Sequence, residues 1–325
     1  MLILDKSDVR KCLDPDALIG AVGDAMKAFS AGTAQQPLRQ RLFSSNTGGM
    51  LASLPSYMES TETFCVKVVS GNSSLTDAAG FRRVAQVVVL ASTRGEILSV
   101  MHGTDLGTWR TSACSAFAAG LLARPDARSH AIVGIGAQGR AEALFVGRHL
   151  GIRDLRVVDL NTDRASACAE DLGQTLGIPV RVCETVEEAV EGADVVSLTT
   201  NSRVPVIRLD WLAPGCHVSA LGAHNPKARE VCSDTMAHSR VFCESRAALL
   251  AEAGDFIIPM EEGRFSADHL VGEIGAVGLG ICAGRRAGDE RTLFKSTGVG
   301  LQDLAAASLF HSRAVAAGIG RYIDL

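Results

Sequence analysis

The residues best placed to do chemistry in this chain begin with three glycines. Residues 131–139 read AIVGIGAQG, an apolar strand running straight into Gly134-x-Gly136-x-x-Gly139. Gly134 permits a tight turn, Gly136 lets the backbone approach a pyrophosphate, and Gly139 lets the next helix pack on the strand. The N-terminus of that helix offers unpaired N–H groups and a positive dipole end to phosphate oxygens. A second strand, residues 155–160, carries Asp159, 25 residues beyond Gly134, near the usual spacing for a carboxylate that binds the ribose hydroxyls of a dinucleotide. Strand, turn, helix, strand and acid in this order read as a Rossmann dinucleotide site. Asp159 repels a 2′-phosphate and favours NAD, while Asn161, Thr162 and Arg164 beside it leave NADP open.

A dinucleotide does not name a reaction, and the substrate side needs its own residues. Three cations stand out: Arg41, Lys67 within FCVKVV, and Arg110 within GTWRTSACSAFAAG. Strand alternation puts Lys67 opposite Val66 and Val68, where a lone lysine ordinarily faces solvent. Arg110 sits among small and apolar residues, where a charge is costly unless paired, and the pattern leaves an aspartate partner or a ligand equally open. A strand lysine and a helix-start arginine together suit a carboxylate clamp.

The elements that must position these groups are legible as patterns. Asp14-Pro15 caps a helix whose apolar residues Leu18, Val22, Ala25, Met26 and Phe29 recur at helical spacing, and Gly32 ends it. Residues 49–102 change to strands with turn residues between them, the pattern of a largely antiparallel sheet. A small-residue helix follows over about 105–124. From residue 131 strands and helices alternate, which means βαβ crossovers and a parallel sheet. Another small-residue helix, 300–318, closes the chain. The fold class is α/β: a Rossmann domain over 113–299, and a smaller α+β substrate and dimerisation domain over 1–112 and 300–325.

Composition narrows the function classes. A net charge of −4 gives no general attraction to nucleic acid or anionic lipid. No apolar run approaches the ~20 residues of a membrane span, and residues 1–14 show no signal-peptide pattern. Nine cysteines are scattered without CxxC pairs or a metal-ligand cluster, which reads as reduced thiols in a cytoplasmic protein with no metal site. Only six of the basic residues are lysines, so Lys67 and Lys295 stand out as chosen for role.

Longer stretches carry a resemblance. They are Thr108-Trp-Arg-Thr-Ser-Ala-Cys-Ser-Ala116, the 134–139 loop, Gly222-Ala-His-Asn-Pro226 with Arg229-Glu230, Glu252-Ala-Gly-Asp255, and Thr292-Leu-Phe-Lys-Ser296 with Gly298 and Asp303. Over essentially its whole length the chain resembles the ornithine cyclodeaminase/mu-crystallin family. The resemblance implies a homodimer and a small imino- or amino-acid substrate. It puts Arg41, Lys67 and Arg110 on the substrate α-carboxylate. It puts Ala137, Gln138, Asp159, Thr199, Gly222, Lys295 and Ser296 at cofactor positions.

Two departures from the family pattern bear on the reaction. Cyclodeaminases carry an aspartate where this chain has His224. A histidine can shuttle protons near neutral pH but would not attract the second cation of ornithine. The Gly-Ala-x-x-Pro form resembles imino-acid reductases and amino-acid dehydrogenases, with His224 as the catalytic proton-handling group. Arg82-Arg83 stands where the family usually has an uncharged residue. Arg83 either recognises a second acidic group on the substrate or faces solvent. The expectation is an NAD(P)H-dependent reductase of a small cyclic imino acid such as Δ1-pyrroline-2-carboxylate or Δ1-piperideine-2-carboxylate, or the reverse dehydrogenase. Ornithine cyclodeaminase and a mu-crystallin-like ligand-binding protein are the alternatives.

Overall fold

The computed structural model describes residues 1–76 and 82–324, without the side chains of 73, 74, 76, 82 and 83. The chain separates into two compact units, Met1–Arg110 with Val299–Leu325, and Thr111–Gly298.

The first unit opens with β1 (Leu2–Leu4), α1 (Lys6–Lys11) and α2 (Pro15–Ser30), the last capped by the Asp14 carboxylate on the Ala17 amide. The strands β2 (Ala34–Gln35), β3 (Gln40–Phe43), β4 (Gly49–Met58), β5 (Thr63–Thr76), β6 (Arg82–Ser92) and β7 (Ile97–His102) follow, and α3 (Gly103–Leu122) crosses the boundary between the units. The meander β4–β7 is antiparallel, as its turns predict; β1, which the strand pattern did not reveal, adds parallel to β7.

Register decides which side chains are buried. Leu54 on β4, Lys67 on β5, Val88 on β6, Met101 on β7 and Leu4 on β1 lie opposite one another in a single row across the sheet, and all five are buried. The expectation of a solvent-facing Lys67 is therefore overturned. The chain's last helix packs on that face, a cover that alternation within FCVKVV cannot reveal.

The second unit is the parallel α/β layer. Its elements are β8 (Ser129–Val133), α4 (Ala137–Leu150), β9 (Asp154–Val158), α5 (Thr162–Leu176), β10 (Val180–Val182), α6 (Val186–Val190), β11 (Val195–Leu198) and β12 (His217–Ala220). They continue with α7 (Ser233–Ala237), β13 (Arg240–Cys243), α8 (Arg246–Glu252), α9 (Gly254–Glu261), β14 (Leu270–Glu273), α10 (Ile274–Gly278) and β15 (Thr292–Lys295). The sheet order is β10-β9-β8-β11-β12-β15-β13-β14, parallel throughout, and the strand order reverses between β8 and β11. Its central strands β11, β12 and β15 are buried at every residue, as cover on both faces requires. The chain then returns to the first unit with α11 (Gly300–Ala317) and β16 (Arg321–Tyr322).

One polar chain runs through this second core. Glu142 on α4 is fully buried and accepts from Ser115 Oγ at 2.7 Å and Ser197 Oγ at 3.1 Å. Ser197 continues to His130 at 2.9 Å, and Ser115 to Ser219 at 3.0 Å and on to His217. Burial holds both histidines down at about 3, hence neutral, and pushes the Glu142 carboxyl up to about 7 against its hydroxyl donors. Between its ordinary 4.5 and about 7 the folded chain keeps a proton on Glu142 that the unfolded chain has released. Stability attributable to this group therefore falls as pH rises through that window. Glu142→Gln is expected to flatten the fall and raise Tm above pH 7, as thermal unfolding across pH 4–9 would show.

Candidate active site

In the first unit, the substrate-side cations meet a carboxylate of their own chain. Lys67 Nζ lies 2.9 Å from both oxygens of Asp303, which sits in the first turn of α11. Arg110 Nε donates to Asp303 Oδ1 at 2.9 Å, and its Nη1 donates to Gln302 Oε1. Lys67 is 3% exposed and Arg110 6%, so the pair of cations and the anion share one desolvated cluster. Of the two partners left open for Arg110, the aspartate is the one seen. Burial first, and then the Arg110 charge, pull the Lys67 ammonium down to about 8 against the pull of Asp303.

A third cation also lowers Lys67, and it is Arg39, just ahead of β3. Sequence reasoning chose Arg41, which lies half-buried on β3 opposite Ala52, and missed Arg39. Two arginines of the same strand parity cannot be told apart locally. Lys67 and Arg110 thus share the one carboxylate of Asp303. Arg83 is the second residue of β6, and its side chain lies outside the described residues.

In the second unit the glycine turn has the shape its residues require. Gly134 adopts φ +91°, and a Cβ at Gly139 would lie 2.2 Å from Gly134 O. A Cβ at Gly136 would meet nothing within 4 Å, so the backbone there faces open space. Gly136 is the N-cap of α4 and makes no side-chain cap bond, which leaves first-turn N–H groups for an anion. Ala137 and Gln138 form that first turn, and the Gln138 amide donates to Ser112 Oγ at 2.7 Å.

Asp159 stands just beyond β9 and is already engaged. Its Oδ2 accepts from the Ile135 amide of the glycine loop at 2.9 Å, and its Oδ1 from the Asn161 amide at 2.9 Å and from Arg164 Nη2 at 2.5 Å. Burial raises this carboxyl, but the Asn161, Arg164 and Ile135 donors outweigh it and leave it below its ordinary value. Asp159 is thus ionised at neutral pH. Asn161 caps α5 through the Arg164 amide.

The loops after β11 and β12 complete this side. Thr199 Oγ1 donates to Gly134 O at 2.5 Å, fastening the β11 loop to the glycine turn. Gly222 follows β12, and His224 is exposed two residues on, its Nδ1 3.3 Å from Gly222 O. Lys295 and Ser296 take interior places. Lys295 is fully buried, paired with Asp255 at 2.8 Å and donating to Ala220 O at 3.1 Å, and Ser296 donates to the buried Glu244. Their side chains are spent on the protein, and they brace the strand ends from beneath. Glu230 and Asp255, quoted in the sequence only as parts of motifs, turn out to organise these loops.

The second unit thus carries a glycine turn with an acid beside it, and the first unit a buried cluster of two cations and one carboxylate. Residues 1–318 match the model of the ornithine cyclodeaminase/mu-crystallin family, and the chain belongs to that family. It is 32% identical to Δ1-pyrroline-2-carboxylate reductase of Bacillus cereus over 328 residues, 100% of both chains. It is 30% identical to ketimine reductase mu-crystallin of Macropus fuliginosus, over 95% of this chain and 96% of that one. Among solved structures it is similar to Thermococcus litoralis Δ1-pyrroline-2-carboxylate reductase in complex with NADH and L-proline. That match has 33% identity and a TM-score of 0.95, over 99% of this chain and 100% of that chain.

The cation cluster makes a direct prediction. Asp303→Asn leaves Lys67 and Arg110 buried without their anion, a loss on the order of 3–5 kcal/mol. A fall in Tm, largely restored by a high concentration of a small carboxylate, is the expected calorimetric result.

Proposed function

We propose that the protein is an NADH-dependent reductase of a small cyclic imino acid, with Δ1-pyrroline-2-carboxylate as the first substrate to test. The observation that carries it is the Lys67–Arg110–Asp303 cluster with Arg39 beside it, in a chain similar over its full length to reductases of this substrate. NADH, when bound, supplies the hydride. The glycine turn and the first turn of α4 hold its pyrophosphate, and Asp159 takes the ribose hydroxyls. Lys67 and Arg110, with Arg39 and Arg41, hold the substrate carboxylate and fix the C=N carbon for attack. Asp303 keeps the cations from repelling one another before substrate arrives. His224 handles the proton on the imine nitrogen, alone or through water.

The cyclodeaminase alternative needs an acid where His224 stands, and nothing in the geometry supplies one in that position on the loop. The protein is a homodimer on our reading. Leu42, Leu51, Tyr57 and Phe64 share the sheet face opposite Lys67, with Leu42, Leu51 and Phe64 exposed, an apolar strip suited to a second copy. We place it in the cytoplasm on the cysteine chemistry. Among the described residues no helix is long and apolar enough to cross a membrane.

Imine-dependent NADH oxidation is the test, with ornithine plus NAD and ammonia detection as the second arm. Turnover of the imine that Arg110→Ala lowers about 100-fold in kcat/KM is expected, the scale of one lost charged hydrogen-bonding group. Ammonia release from ornithine without imine turnover overturns the reading. Because Lys67 loses its proton as pH rises through about 8, KM for the imine should climb above that pH. Steady-state profiles at saturating NADH would show it, and Lys67→Arg should move the rise beyond the measurable range.

A further inference from the structure

Glu230 is fully buried between two loops, and each of its oxygens serves one of them. Oε1 accepts from the Thr200 amide at 2.7 Å and the Thr200 hydroxyl at 2.8 Å. Oε2 accepts from the Gly222 amide at 2.6 Å and the Ala223 amide at 3.1 Å. The Thr200 loop follows β11 and the Gly222 loop follows β12, at the carboxyl ends of adjacent parallel strands. The spacing of the loops is thereby one carboxylate wide. A Cβ at Gly222 would lie 2.1 Å from Thr200 O and 2.6 Å from Glu230 Oε1, so no other residue fits there unmoved.

The carboxylate is itself clamped. The Glu230 and Val231 amides donate to Asp255 Oδ1 at 2.7 and 2.8 Å, and Asp255 Oδ2 pairs with Lys295 at 2.8 Å. Lys295 closes the circuit on Ala220 O, the last residue of β12. Burying three charges with a net excess of one carboxylate is unfavourable by several kcal/mol per ion before pairing. Fold stability alone is served as well by apolar packing. The circuit ends on the loops beyond the strand-order reversal, the half of such a sheet that seats the reactive ring of a dinucleotide.

We propose that Glu230 is a positioning residue for the nicotinamide end of the cofactor, holding the Thr199–Thr200 and Gly222–His224 loops at the separation hydride transfer needs. This deepens the NADH reading above and rests on it. In Glu230→Gln one carboxylate oxygen becomes a donor facing donors, so one loop comes loose while Asp159 keeps its own donors and the first turn of α4 its place. NADH affinity, read by fluorescence titration, should change less than about threefold, because the pyrophosphate and ribose contacts dominate it. The emission of bound NADH should move toward that of free NADH, a signature that needs no substrate. With the imine, kcat should fall about 100-fold, the scale of a roughly 1 Å misplacement. The deuterium isotope effect from 4-deuterated NADH should rise while KM stays put.

Thr200→Val removes one of the four bonds and keeps the acid, and should give the same pattern several-fold weaker. It decides the matter where Glu230→Gln does not fold. A folded variant with lowered Tm but wild-type emission, kcat and isotope effect overturns the proposal, as does a kcat loss that merely tracks lost NADH affinity. If wild type binds NADH but reduces no imine, the emission signature still tests Glu230 while the substrate reading fails separately.

Discussion

The first unit depends on one buried carboxylate. Asp303, carried on α11, meets a lysine from the middle of a sheet and an arginine from α3, and each would be untenable without it. The Lys67 row is otherwise aliphatic, Leu54, Val88, Met101 and Leu4. A lone ammonium in such a row is expelled or deprotonated unless an anion sits beside it. One carboxylate thus serves two cations, and the reading of the cluster as an acid-binding site proposed above rests on that ratio.

The second unit uses the same device with the sign reversed. Glu230 and Asp255 outnumber Lys295, and the excess negative charge is absorbed by backbone and hydroxyl donors from strand-end loops. Anions that gather N–H groups make rigid corners, because charge-assisted bonds are short and directional. The glycine turn is the complementary case, where the N-cap of α4 is a glycine with no side chain to bond the helix's first N–H groups.

The parts of this design legible in the sequence were the local ones. The glycine turn, Asp159, the β4–β7 meander and the alternation after residue 131 are set by neighbours in the chain, so pattern and spacing revealed them. The face of Lys67 was not, because its cover is a helix 236 positions away. β15 was legible only as a motif, since it inserts between β12 and β13 out of chain order. Arg39 and Arg41 differ in how they sit against Lys67, and no local rule ranks them. The resemblance puts Lys295 at a cofactor position, and its burial against Asp255 was not legible in the sequence. Its partner Asp255 lies on a helix that composition does not connect to it.

The discontinuity of the first unit has a consequence for how the protein comes off the ribosome. Residues 1–110 emerge well before α11, which covers their sheet and brings Asp303. The continuous stretch 111–298 can complete its parallel sheet while the earlier strands still wait. At ~5–20 residues per second, the Lys67 face stays uncovered for roughly ten seconds or more after its strand is synthesised. An ammonium in the middle of that apolar row keeps the face hydrated during the wait, and charge so placed opposes sheet-to-sheet aggregation. The lysine that α11 later covers thus first serves as a guard on an unfinished domain.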